Sequence, residues 1–180
     1  MNLRKQKADY LLENTGLVEE LSRFGEVHIV GSSRTGLMST NDIDLYVDNS
    51  AMTTEYLYEL SSFIFKSFKP TWYEAKEEIN SEGKTVFFHG FATVISGEKW
   101  NFDIWFFDHD TIIKAEELCT RIEREIEEYP AKKNAVIEIK NMLITKGLYS
   151  YDKFTGMDVY RAVFDENILS AASFIQKYLK

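Results

Sequence analysis

The sequence predicts an α/β fold: a small mixed, twisted sheet backed by helices, with a helical bundle closing one side. Three observations predict it. Val27–Val30 is a short apolar run, and Asp42–Val47 and Trp100–Phe106 alternate apolar with polar residues, the two-residue period of a half-buried strand. From Asp110 onward the apolar positions recur instead at three- and four-residue intervals, the period of an amphipathic helix. The composition supplies a core: 44% hydrophobic and 14% aromatic residues, with nine glycines and two prolines in 180 residues, exclude a disordered chain.

In chain order, residues 5–24 read as one helix, with Ala8, Leu11, Leu12, Val18 and Leu21 on its apolar stripe and Gly25 ending it. The Val27–Val30 strand runs into a Gly31-Ser32 turn, and a polar link leads to the strand that opens at Asp42. Thr53 or Thr54 caps a helix over 54–66, whose inner face is Leu57, Leu60, Phe63 and Ile64. Pro70 closes it, Thr71-Trp72-Tyr73 forms a short strand, and Glu74–Lys84 is a polar, mobile connection. Residues 85–96 form a strand that Ser96-Gly97-Glu98 turns into the next, a hairpin. His89 lies in the first of these on the face of Phe87 and Phe91 and reads as a packed residue. Asp108 and Asp110 read as helix N-caps. Ala115, Leu118, Cys119, Ile122 and Ile126 then mark one helix up to Pro130, and Ala135, Val136, Ile139, Met142 and Leu143 another. The charges of Arg121, Glu123, Arg124 and Glu125 read as solvated surface.

The chemistry concentrates around VGSSRTGLMSTNDIDLYVD. Strand side chains alternate faces, so Asp42 and Asp44 point one way while Ile43, Leu45 and Val47 point to the core. Two same-face carboxylates about 7 Å apart repel, and a divalent cation removes that cost. The free backbone N–H groups and hydroxyl of Gly31-Ser32 suit a phosphate. Farther on, Asp103 sits opposite the apolar face formed by Trp100, Phe102, Ile104 and Phe106, where an unpartnered acid is costly to bury. Metal beside phosphate is the material of phosphoryl chemistry.

An apolar strand, Gly-Ser, a short spacer and Asp-apolar-Asp resemble the signature of the nucleotidyltransferase superfamily, which shares the polymerase-β-type catalytic fold. Gly31, Ser32, Asp42 and Asp44 fill its places, and Thr35-Gly36-Leu37 looks like the linker of poly(A)-polymerase-like and antibiotic-modifying members. Asn41 departs from it, standing where a serine commonly precedes the first aspartate. The superfamily usually needs a third carboxylate on a later strand, and Asp103 is the candidate. The resemblance covers residues 20–107 well and 135–165 weakly. It implies a catalytic domain over 1–108, a helical subdomain over 109–180, and transfer of a nucleoside monophosphate from an NTP, with ATP the expected donor. It also implies two Mg²⁺ ions held by Asp42, Asp44 and Asp103, with Gly31 and Ser32 on the triphosphate and Arg34 either there or at the surface. In the helical part, Lys140 and Thr155 are similar in position to a lysine and a helix-opening hydroxyl that hold the triphosphate tail, with Lys146 a rival for the lysine. Oxygen-only ligands fit Mg²⁺, and no Cys/His cluster offers a zinc site.

Charge bears on the acceptor. With 21 basic against 29 acidic residues the net charge is −8, and the only dense basic run is Arg4-Lys5-Gln6-Lys7, which disfavours an extended nucleic acid. A small molecule, a cationic substrate or a protein hydroxyl is favoured as acceptor. The competing reading is a non-catalytic nucleotide-binding or assembly module, including an antitoxin-type partner of a toxin protein. The polar start Met1-Asn2-Leu3-Arg4-Lys5 is no signal peptide, no run has membrane-spanning length, and the single Cys119 forms no internal disulfide, so a cytoplasmic setting is expected. Oligomeric state is left open.

Overall fold

The computed structural model describes residues 3–49, 52–80 and 82–179. Met1 and Asn2, and Ser81 within the 74–84 segment, lie outside the described residues. The elements run α1 (Leu3–Asn14), α2 (Leu17–Leu21), β1 (Glu26–Val30), α3 (Gly31–Thr35), β2 (Asp42–Asp48), α4 (Thr54–Phe68), β3 (Trp72–Ile79), β4 (Thr85–Ile95) and β5 (Glu98–Phe107). The helices α5 (His109–Glu128), α6 (Pro130–Thr145) and α7 (Gly156–Tyr160) follow, then a π-helical turn over Arg161–Asp165 and α8 (Ala171–Tyr178).

The strands form one mixed sheet in the order β1-β2-β5-β4-β3. Only β2 and β5 pair in parallel, and that pairing sets Asp42 beside Asn101 and Asp44 beside Asp103. One sheet face is dry: Ile43, Leu45, Phe91, Phe102, Ile104 and Phe106 pack against Leu57, Leu60, Ile64 and Phe68 of α4 and against α1 and α2. Phe91 and Phe102 stack at 4.7 Å across β4 and β5. A second core holds α5 to α8 together through Ile122, Val136, Ile139, Leu143, Val163 and Phe174, and Leu37 from the link before β2 joins it. That insertion brings the helical part over the other sheet face, where the aspartates point.

The alternation patterns and the hairpin appear as expected. Ser96 (φ 52°) and Gly97 (φ 80°) both take left-handed backbone, the pairing a two-residue hairpin turn requires. Thr53 caps α4 by accepting from the Tyr56 N–H, and Asp108 caps α5 by accepting from the Thr111 N–H at 2.9 Å. Asp110 lies in the first turn of α5 without being its cap.

Two expectations need correction. The single helix over 5–24 is two helices, because Gly16 (φ 72°) takes left-handed backbone between them. Glu74–Lys84 is not an irregular connection as far as Ile79, since β3 continues to that residue. Its charge hid a strand: Glu74, Lys76 and Glu78 share one face, Tyr73 and Ala75 the other, and β4 supplies the backbone partners. Charged residues on an edge strand discourage pairing with a further chain. His89 is packed, fully buried and hydrogen-bonded to the Tyr73 hydroxyl at 3.0 Å. Burial pushes its imidazole down to about 4. No helix among the described residues is long and apolar enough to cross a membrane.

Candidate active site

Gly31 leaves β1 with φ 63°, in the left-handed region, and lies against Asp44. A Cβ there would stand 2.3 Å from Asp44 Oδ2, so the position requires glycine for both its backbone and its contact. The short α3 follows, with the Thr35 hydroxyl donating to the Gly31 carbonyl at 3.1 Å and Gly36 (φ 72°) ending the turn. The Ser32 backbone N–H donates to the Asp44 carboxylate.

The parallel register then sets the three aspartates on one face. Asp44 and Asp103 are neighbours across β2 and β5, about 4.8 Å apart in strand spacing, and Asp42 is two residues back along β2. Both Asp42 oxygens accept from neutral donors, the Thr40 hydroxyl at 2.5 Å and the Asn101 amide at 2.6 Å. Burial, then the charges of Asp103 and Asp42, push the Asp44 carboxyl up to about 7 against the pull of Lys140 and the Ser32 N–H. Burial, Asp42 and Glu74 push Asp103 up to about 6. Burial and the mutual repulsion of the carboxylates together outweigh the pull of Lys140 on Asp44, and a cation would relieve that repulsion.

Lys140 reaches this field from α6. It is 2% exposed, donates to the Leu37 carbonyl and the Tyr160 hydroxyl, both at 3.2 Å, and sits over the Tyr160 ring. Burial lowers its ammonium to about 8, although Asp44 and Asp42 pull it upward. The cavity between these groups has a volume of about 300 Å³. Gly31, Ser32, the three aspartates, Lys140, Tyr149 and Thr155 line its polar side, and Leu118, Cys119 and Ile122 of α5 its apolar wall.

Of the residues singled out in the sequence, seven meet here: Gly31, Ser32, Asp42, Asp44, Asp103, Lys140 and Thr155. Thr155 is also an N-cap, its hydroxyl donating to Asp158 at 2.8 Å within a capping box. Lys146 is exposed at the C-cap of α6 and does not line the cavity, whereas Lys140 does. Arg34 does not join the site. Its guanidinium turns to α5 and pairs with Glu116 and, at 3.2 Å, Glu123. Glu123 is therefore not merely solvated surface, and neither is Glu125, which pairs with Lys132 at 2.5 Å. Sequence reading missed Thr40, Asn101, Tyr149 and Tyr160. Asn101 had a signal, since it lies two residues before Asp103 on the same strand face. The tyrosines had none, as their placement depends on how α6 and α7 pack on the sheet.

The donor set fits Mg²⁺. Among the described residues no group of three or more His, Cys, Asp or Glu side chains is placed to hold a metal ion by itself. Mg²⁺ does not need one, because it commonly takes one or two carboxylates plus substrate phosphates and water. Asp42 and Asp44 on one strand with Asp103 beside them offer such an open, oxygen-only edge facing the Gly31-Ser32 turn.

No protein-family model matches the chain, and no curated protein does. Solved structures do. The chain is similar to the Cid1 poly(U) polymerase bound to MgGTP, at TM-score 0.63 and 16% identity over 87% of this chain and 48% of that one. It is similar to the non-canonical poly(A) polymerase complex GLD-2–GLD-3, at TM-score 0.61 and 15% identity over 99% of this chain and 59% of that one. It is also similar to terminal uridylyl transferase 4 from Trypanosoma brucei with bound UPU, at TM-score 0.53 and 16% identity over 89% and 53%. The chain spans about half the length of the polymerases it matches. Its fold is that of the polymerase-β-like nucleotidyltransferases.

Proposed function

We propose that the protein transfers a nucleoside monophosphate from an NTP to a hydroxyl of a small molecule or a protein, releasing pyrophosphate. The observation that carries the reading is the meeting of Asp42, Asp44 and Asp103 on one sheet face against the Gly31-Ser32 turn, within this fold. In this reading residues 1–108 carry the chemistry and 109–180 close over the nucleotide. Asp42, Asp44 and Asp103 would hold Mg²⁺, which would supply charge neutralisation to the triphosphate and the leaving group. The Ser32 hydroxyl, with the Gly31 backbone, binds phosphate oxygens, while the Ser32 N–H stays on Asp44. Lys140 serves as a point charge on the triphosphate tail, and the Thr155 hydroxyl reaches the same tail on releasing Asp158. The acceptor oxygen forms a bond to Pα as the bond from Pα to the bridging oxygen breaks, and pyrophosphate leaves with the electron pair. The Asp103 carboxylate, on the flank away from Ser32, takes the acceptor proton.

An RNA 3′ end is the second reading, favoured by the poly(U) and poly(A) polymerases among the similar structures. The net charge of −8 weighs against it. The test is incubation with each of four α-³²P-labelled NTPs and Mg²⁺, ATP first, with a small-metabolite extract, a protein lysate or an oligonucleotide. Label transferred by the parent and lost in Asp103→Ala supports the reading, with NTP binding retained through Asp42 and Asp44. Unchanged turnover in Asp103→Ala overturns it, and NTP binding without transfer in any mixture returns the non-catalytic module.

A further inference from the structure

The aspartates divide the open sheet face in two. Toward β1 lies the cavity with Gly31, Ser32 and Lys140; toward β3 the register continues Asp103–Gly90–Glu74 and Asn101–Ala92–Trp72. These residues share the aspartates' face, since partners in register point the same way. In-line displacement brings the acceptor from the side opposite the leaving pyrophosphate. If the triphosphate lies over Gly31 and Ser32, the acceptor lies over β4 and β3.

That half of the face is built from rings. A Cβ on Gly90 would stand 2.6 Å from the Phe88 ring and 3.0 Å from the Trp72 indole, so both lean over the bare backbone beside Asp103. Phe88 and Trp105 lie 4.5 Å apart, and Trp105 stacks on Phe107 at 5.3 Å. Phe88 is buried beneath, while Trp72 is 48% exposed and offers its indole to solvent. The protein itself shows what chemistry this surface holds. The Lys76 ammonium sits 5.3 Å over Phe88 and 5.8 Å over Trp105, and pairs with Glu78 at 3.1 Å and Glu74 at 3.6 Å. Toward the start of β3, Glu74 lies two residues before Lys76 and Trp72 four, so the same Glu74 also stands beside a second ring, now next to Asp103.

We infer that Trp72 and Glu74 form the acceptor subsite, and that the acceptor is a small molecule combining a flat ring, a hydroxyl and a positive charge. The ring stacks on the Trp72 indole and the hydroxyl faces Asp103, while the charge takes Glu74 in place of its 3.6 Å contact with Lys76, which keeps Glu78 at 3.1 Å. A polyphosphate chain on this face would meet Glu74, Glu78 and Asp103, with Lys76 already paired. The inference rests on the nucleotidyl-transfer reading for the direction of approach.

The test uses tyramine, which unites ring, hydroxyl and ammonium, against 4-hydroxyphenylacetate, which reverses the charge, and against decaoligoadenylate. Binding to the whole protein is measured by calorimetry with NTP and Mg²⁺ present and absent, and ATP and UTP titrations are run on every variant. Tyramine should bind about tenfold more tightly than 4-hydroxyphenylacetate. Glu74→Gln should erase that preference, and Trp72→Ala should weaken both ring compounds by about tenfold. Trp72→Phe, which keeps a ring, should restore them, separating loss of stacking from loss of fold. Equal binding of the two ring compounds, no tyramine binding, or tighter binding of oligoadenylate that Trp72→Ala abolishes would overturn the inference, the last assigning the platform to an RNA end. Failure of every NTP to bind would instead sink the transfer reading, independently of the ring compounds.

Discussion

Replacing Asp44 with asparagine should stabilise the metal-free protein while destroying its chemistry. Asp44 is pushed from 3.8 up to about 7, chiefly by burial and then by Asp103 and Asp42. The native carboxyl therefore holds its proton where the unfolded chain has lost it. With the folded pKa raised, the stabilisation is complete below about 4 and is lost as pH rises toward about 7. A shift of roughly three units at 1.36 kcal/mol each puts the cost of the ionised group at about 4 kcal/mol by pH 8. Asparagine is neutral throughout and keeps an oxygen for the Ser32 N–H, but it withdraws the attraction felt by Lys140. The expected gain is therefore about 2–4 kcal/mol at pH 8 and about 1 kcal/mol at pH 4.5.

Urea denaturation of parent and Asp44→Asn in EDTA at both pH values measures this directly. In Mg²⁺ the same variant should lose about 10³-fold or more in transfer, the equivalent of about 4 kcal/mol of charge stabilisation. A variant less stable than the parent at pH 8, or equally shifted at both pH values, would show that the cluster is not under electrostatic strain. The argument for a cation there would then lose its support.

Gly31→Ala places a methyl group against Asp44 Oδ2 and strains a left-handed residue, so it should cost at least about 2 kcal/mol in urea denaturation and abolish NTP binding by calorimetry. Lys140→Met should weaken NTP binding by tenfold or more, about 1.4 kcal/mol, while Lys146→Ala leaves it unchanged within error; the reverse order would reassign the phosphate lysine. His89, lowered from 6.5 to about 4 by burial, holds stability that is present above about 6.5 and lost as pH falls toward about 4, roughly 3 kcal/mol in all. Its imidazole ¹³C shift should stay that of the neutral ring down to pH 5, and titration near 6.5 would show that the site is wet. Arg34→Ala should leave NTP affinity intact and lower stability by about 1–2 kcal/mol, read from the same two titrations, because its partners are Glu116 and Glu123.

What the sequence revealed of this molecule depended on whether a property was local. The alternation around Asp42, Asp44 and Asp103 fixes which face each aspartate takes, because strand geometry leaves no other choice. Gly31 was legible as a turn, but its contact with Asp44 belongs to the pairing of β1 with β2 and appears in no single segment. β3 was misread because charge suppressed the apolar signal on an edge strand, where glutamates are compatible with pairing on one side only. The partners of Arg34 were hidden for the opposite reason: its position beside a phosphate turn suggested one role, and the carboxylates of α5 that it pairs with were invisible until the helix docked. Lys140 lies 98 residues from Asp42 in the sequence, and only the seating of Leu37 in the helical core explains how they meet. The Lys140 ammonium donates to the carbonyl of that same Leu37, a few residues before the aspartate strand. The packing of the helical part and the electrostatics of the site are thereby one contact, so a change in how α6 seats against the sheet changes the charge balance around Asp44.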